Sequence, residues 1–353
     1  MLLVPAVLLA LLCVWIVIPP FNEPTIVLAV ASIELSPYLL AANALFLALT
    51  VWTAGRRGTA AAVVFAANCI VCALPLLALI RSDALQPAAY RIVNVPISES
   101  VIAVRLGTLA SKIRAYLPAV PRRTPAIFAI YGGAWRSGSP RSDAALNRAL
   151  AHQGYAVFAL DYRHAPAYRF PAALDDVRFE ISLIRKNALR YHIDTQRMAV
   201  LGHSSGGELA ELMAFAPKSP VAALVSYSGA VDLSMGWKYP PVPDPIGVRQ
   251  VIQNYVGDTP AGAPGRYRAA SPLASVRRGL PPTLLIYGAR DHVVDIRYAR
   301  KFRDALRAAG TNVTFLELPW TEHAFEVVPF GLHAPIAFRA TLSFLAATVG
   351  SGR

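Results

Sequence analysis

The chain has 353 residues, 55% of them hydrophobic and only 16% charged, well under the charged share of about 25% usual in soluble domains. The net charge of +13 falls entirely on residues 81–353, because the first eighty carry only Glu23, Glu34, Arg56 and Arg57; no nucleic-acid-binding motif accompanies it. Cys13, Cys69 and Cys72 all lie in that early apolar part, which excludes a disulfide or a cysteine metal site from the remainder.

Three apolar blocks fill the amino-terminal part, over 2–18, about 26–52 and 59–80. A bilayer span needs about 20 mainly apolar residues. The third block meets this with no charge, and Pro5 is the one interruption of the first. Glu34, Ser36 and Pro37 interrupt the second. A signal peptide is the alternative for the first block, but no basic segment precedes it. The expectation is a transmembrane module, residues 1–80, of three helices over about 2–19, 26–53 and 59–80. The Gly55-Arg56-Arg57-Gly58 turn favours a cytoplasmic position. That places the rest of the chain on the extracytoplasmic side of a bacterial-type cell membrane; Arg81 and Arg91 argue for the opposite orientation. The basic charge beyond residue 80 fits contact with anionic lipid headgroups, or simply a solvated basic surface.

Residues 81–90 form a short linker. Strands are expected over 91–104 and 111–117, then a turn-rich connection over 118–125. Strands and helices alternate from there. Strands fall at 126–131, 156–162, 198–202, 222–228, 282–287 and 312–318. Helices fall at 141–152, 172–190, after residue 204, and at 296–309 and 334–349. Short apolar runs alternating with helical periodicity indicate an α/β fold, a mostly parallel twisted sheet covered by helices on both faces. Active sites in such sheets lie at the carboxyl ends of the strands.

The stretch Met198-Ala-Val-Leu-Gly202-His203-Ser204-Ser205-Gly206-Gly207 passes from an apolar run through Gly-x-Ser-x-Gly into a helix. This is the form of a nucleophile elbow, in which a tight turn lifts Ser204 to the top of a sheet. Its base and acid should follow in the order acid, then histidine. His292, His323 and His333 qualify by order. His323, just past the last strand, is placed to reach over the serine, whereas His203 should point away and pack or hydrogen-bond. Among the acids, Asp291 directly follows the 282–287 strand, and Asp295 reads as a helix N-cap. Gly132 and Gly133, after the 126–131 strand, together with the N–H of Ser205, would form the oxyanion hole. Trp135 and Phe325 flank the site and are candidate pocket residues. The insert 232–275, rich in aromatics and proline, would act as a lid.

From about residue 125 onward the chain resembles the α/β-hydrolase superfamily, in its hormone-sensitive-lipase-like and bacterial acetyl- and feruloyl-esterase-like branch. The resemblance rests on Tyr131-Gly-Gly-Ala-Trp135, Asp161-Tyr-Arg-His-Ala-Pro166, Phe170-Pro-Ala-Ala-Leu-Asp-Asp-Val177, the run into Ser204, Ala270-Ser-Pro, Pro281-Pro-Thr-Leu-Leu-Ile-Tyr-Gly and Glu322-His-Ala-Phe. It implies Ser204, Asp291 and His323 as the triad and Gly132 and Gly133 at the oxyanion hole. Tyr131 replaces the family's histidine that braces the glycine loop. The family's amino-terminal cap helices are absent, and the membrane module stands in their place.

The expected function is a membrane-anchored serine carboxylic-ester hydrolase acting on a small or lipophilic ester, with the bilayer as its other partner. The triad requires no cofactor and no metal. An amidase or acyltransferase on the same triad is the alternative within the fold. A catalytically silent membrane scaffold is the alternative of another class.

Overall fold

The computed structural model describes residues 2–54, 58–85 and 92–350. The residues of the 55–57 turn, Arg91 and the second half of the 81–90 linker, which bear on orientation, lie outside the described residues.

The amino-terminal part holds four helices: α1 (Leu3–Cys13), α2 (Glu23–Glu34), α3 (Ser36–Ala54) and α4 (Thr59–Ile80). Among the described residues, two helices, α3 and α4, are long and apolar enough to cross a bilayer by length and composition. The three-span expectation is corrected on two points. The first block gives an 11-residue helix and a 3-10 turn, stopped before Pro19 and Pro20, which cannot continue it. The second block is two helices, because Pro37 lacks the N–H a continuous helix would need and sits instead in the first turn of α3. α2 has its own start, a capping box between Asn22 and Thr25.

The helices α1, α3 and α4 pack together. Cys13 faces Cys72 at 3.3 Å between sulfurs, Asn43 accepts from Asn68 at 2.9 Å, and Phe46 stacks on Phe65. With Asn68 also donating to the Ala6 carbonyl at 3.3 Å, these pairs set α1 parallel and α3 antiparallel to α4.

The remainder is built on one eight-stranded sheet. Its strands are β1 (Ile97–Leu106), β2 (Leu109–Pro118), β3 (Thr124–Ile130), β4 (Ala156–Leu160), β5 (Ile193–His203), β6 (Ala223–Tyr227), β7 (Thr283–Gly288) and β8 (Val313–Leu318). The order is β1-β2-β4-β3-β5-β6-β7-β8. β2 runs antiparallel to both neighbours, and all other pairs are parallel. Every residue of β3, β4, β6 and β7 is buried, which is why they appear in the sequence as unbroken apolar runs.

Side chains alternate between two cores. Ile127, Ala199 and Val225 point to the face covered by α5 (Ala144–His152) and α12 (Ala334–Thr348). Phe128, Val200 and Leu224 point to the face covered by α6 (Ala172–Lys186), α7 (Ser205–Ala214) and α11 (Ile296–Ala308). Three short helices of the insert, α8 (Leu233–Lys238), α9 (Val248–Val256) and α10 (Pro264–Ala269), were not foreseen individually. α8 and α10, with six residues each, are too short to show a periodic pattern.

Candidate active site

Ser204 sits between the end of β5 and the start of α7, at φ 53° and ψ −120°. A non-glycine residue there costs about 1–3 kcal/mol and persists only where its surroundings impose it. They do so here. The Ser204 N–H donates to the Tyr227 carbonyl at 2.8 Å, and the Gly207 N–H donates to the Ser204 carbonyl at 2.9 Å. A Cβ on Gly202 would lie 2.1 Å from the Gly206 carbonyl oxygen, so the strand and helix can cross this closely only without one. All ten residues of α7 are buried, which anchors the turn from below.

The structure brings Ser204, His323 and Asp291 together. Ser204 Oγ lies 2.9 Å from His323 Nε2. His323 Nδ1 lies 2.8 Å from Asp291 Oδ2. The other Asp291 oxygen accepts the N–H groups of Val293 and Val294, each at 2.8 Å. Asp291 therefore cannot swing, and the imidazole is held in one orientation. Burial disfavours a charged His323, but the Asp291 carboxylate and its hydrogen bond outweigh that and raise the ring above the ordinary histidine value.

Gly132 and Gly133 follow β3 in a loop that bends back on itself. The Gly133 carbonyl accepts from Arg136 N and Ser137 N. Gly133 has φ +141°, and a Cβ there would lie 2.1 Å from the Ser137 carbonyl oxygen. Among the described residues, neither glycine N–H donates to a backbone carbonyl, and the N–H of Ser205, first in α7, has no intrahelical partner. Tyr131 braces this loop. Its hydroxyl donates to Asp161 Oδ1 at 2.7 Å, and its ring stacks on Tyr162 at 4.5 Å.

Two spaces meet at Ser204. One is an apolar cavity lined by Trp135, Leu233, Ile246, Val251, Ile252 and Val294 among others. Eight of its eighteen lining residues come from the insert. The other is an open, more polar groove that also touches Gly132, Gly133 and His323. Trp135 lies in the cavity wall, stacked on Tyr255 at 4.2 Å, with its indole N–H donating to the buried Glu208.

Phe325 is not in the wall of either space. It is fully buried in the core beneath, near Tyr227, because the short 3-10 turn after His323 points it inward while Ala324, Glu326 and Val327 face the groove.

Three other histidines considered from the sequence are occupied elsewhere. His203 Nδ1 is 2.9 Å from Glu326 Oε1, with the ring stacked on Tyr227. His292 pairs with Glu322, and His333 pairs with Glu34. Asp295 caps α11 by accepting from Arg297 N.

A family model described as BD-FAE matches residues 114–306, more than half of the chain. The chain belongs to the BD-FAE family of α/β-hydrolase esterases. The curated relatives include two esterases of Mycobacterium tuberculosis that are among the most similar. "Probable carboxylic ester hydrolase LipM" is 30% identical over 246 residues, covering 65% of this chain and 56% of that protein. "Esterase LipC" is 32% identical over 235 residues, covering 62% and 57%. The chain thus spans little more than half the length of either. Among solved structures, an esterase of Pyrobaculum calidifontis superposes with a TM-score of 0.63 at 24% identity, over 72% of this chain and 86% of that one. That likeness bears on the fold.

Several residues around this family's site were not singled out from the sequence. Glu322, buried, accepts the N–H groups of both His292 and His323 and so ties the two loops together. Glu326 links the histidine loop to the elbow through His203. Val248, Val251, Ile252 and Tyr255 all face inward from α9, and their helical spacing was the available signal. Glu34 stood as a lone charge in an apolar block, and such a charge calls for a partner.

Proposed function

We propose that the protein is a membrane-anchored serine carboxylic-ester hydrolase with Ser204 as nucleophile, His323 as general base and Asp291 as its orienting acid. The observation that carries this reading is the unbroken chain from Ser204 Oγ through His323 to Asp291, at 2.9 and 2.8 Å.

His323 Nε2 takes the Ser204 proton as Oγ attacks the ester carbonyl carbon. The N–H groups of Gly132, Gly133 and Ser205 receive the oxyanion. Collapse expels the alcohol, which takes the proton back from Nε2, and leaves the acyl group on Ser204. A water then loses a proton to the same nitrogen, attacks the acyl-enzyme and releases the acid and the free serine. The acyl group occupies the apolar cavity, which the insert helps to wall. α3 and α4 cross the bilayer and hold the site at its surface.

The test follows hydrolysis of p-nitrophenyl esters of increasing chain length by the full chain in detergent, beside Ser204→Ala. Turnover lost in the variant is expected. A folded protein without turnover, and without fluorophosphonate labelling of Ser204, would sink the assignment. Labelling without ester turnover would point to an amide substrate or another acyl acceptor.

A further inference from the structure

The groove beside Ser204 is not closed by the hydrolase domain alone. Glu23 and Ile26, from the first turns of α2, line it together with Asp143, Glu326 and Val327. Ser204 borders this groove and the acyl cavity alike. A tetrahedral carbon bonded to Oγ must send one substituent each way. The apolar cavity suits the acyl chain, which leaves the groove to the leaving group.

We propose that the groove is the subsite for the alcohol half of the ester, that α2 of the amino-terminal module builds one of its walls, and that it selects alcohols bearing free hydroxyls. This rests on Ser204 as nucleophile.

The hydroxyl preference follows from Asp143. It occupies the N-cap position of α5 yet makes no capping hydrogen bond. Asp143 is half-buried in the lining of the groove, and among the described residues its carboxylate has no hydrogen-bond or ion-pair partner. Glu326 pairs with His203 through one oxygen while its other oxygen is buried without a partner, and Glu23 pairs with Arg136, so among the described groove residues Asp143 is the carboxylate with both oxygens uncommitted. Ile26 adds an apolar side chain from α2 to the lining.

The wall is held in register by three anchors, two of them on the loops that carry the triad and one at the start of α12. Glu34, at the end of α2, accepts from His333 N at 2.8 Å and pairs with its ring. Arg290, beside Asp291, donates to the carbonyls of Ile16 and Val17. Trp320, three residues before His323, donates to the Ile16 carbonyl at 3.0 Å. The module is thus part of the site as well as a tether.

The experiment compares kcat/KM for glycerol monobutyrate and ethyl butyrate, which share an acyl group, using the full chain in detergent. The ratio of the two cancels any difference in active fraction between preparations. In the unmutated protein the glycerol ester is expected to be preferred. Asp143→Leu and Ile26→Trp should each lower the ratio at least fivefold. Glu34→Ala, which frees α2, should shift it in the same direction. A ratio at or below one in the unmutated protein, or a ratio unmoved in both Asp143→Leu and Ile26→Trp, overturns the subsite. Failure of a fluorophosphonate to label Ser204 in the unmutated protein would instead remove the nucleophile on which the subsite depends.

Discussion

Glu34 Oε1 and His333 Nδ1 lie 2.7 Å apart, 299 residues apart in sequence, and neither side chain is exposed. The second oxygen of Glu34 accepts the His333 N–H, and the Glu34 carbonyl accepts the Leu332 N–H at 3.0 Å. Removing one partner of such a buried pair strands the other and costs about 3–5 kcal/mol. Glu34→Ala should therefore lower the thermal unfolding midpoint in detergent by several degrees. An unchanged midpoint would mean that the module and the hydrolase domain are not coupled.

The nucleophile and its partners give graded losses. Ser204→Ala should lower kcat by about 10⁶-fold, leaving the residue that oxyanion donors and binding supply. Asp291→Asn keeps the shape but favours the wrong imidazole tautomer, and should cost about 10⁴-fold. Initial rates on one p-nitrophenyl ester measure both.

The pH profile carries its own sign. His323 must be neutral to accept the serine proton, and its pKa lies above the ordinary 6.5. Activity should fall as pH drops through that raised value. In Asp291→Asn the carboxylate that raises it is gone, burial prevails, and the acid limb should move to lower pH. A limb that stays in place would show that another group controls it.

Gly202 tests the elbow without touching the triad. Its missing Cβ leaves room for the Gly206 carbonyl oxygen, which a methyl would meet at 2.1 Å. Gly202→Ala forces β5 and α7 apart and should cost at least about 3 kcal/mol. Denaturant unfolding and the rate of Ser204 labelling should both report it.

Glu211 predicts a slope in stability. It is fully buried on α7, one oxygen accepting from Ser226 Oγ at 2.7 Å and the other without a partner. Burial pushes its pKa from 4.5 up to about 8. Below 4.5 both folded and unfolded chains hold the proton; between 4.5 and about 8 only the folded chain does. This group's contribution is thus full below 4.5 and is lost as pH rises to about 8, at roughly 1.4 kcal/mol per pH unit. Glu211→Gln should flatten that part of the stability profile, followed as unfolding midpoint against pH.

What the sequence alone determined follows from local rules. The Gly-x-Ser-x-Gly turn between an apolar run and a helical pattern, the glycine pair after β3, and a histidine and an aspartate just past later strands were all readable in place. Each is dictated by backbone sterics or by position at a strand's carboxyl end. The alternation of apolar runs and amphipathic helices announced the sheet for the same reason.

Tertiary structure decided what depends on distant parts of the chain meeting. Phe325 turned inward because a 3-10 turn after His323 reversed the local direction. The second apolar block divided at Pro37, and α2 was drawn from the bundle onto the hydrolase domain by Glu34 and its partner 299 residues away. Asp143, Glu326 and Glu23 came to share one groove with no spacing to suggest it. Periodicity reports which face of an element is apolar, but not which remote surface that face will find. Here that remote pairing sets one wall of the groove.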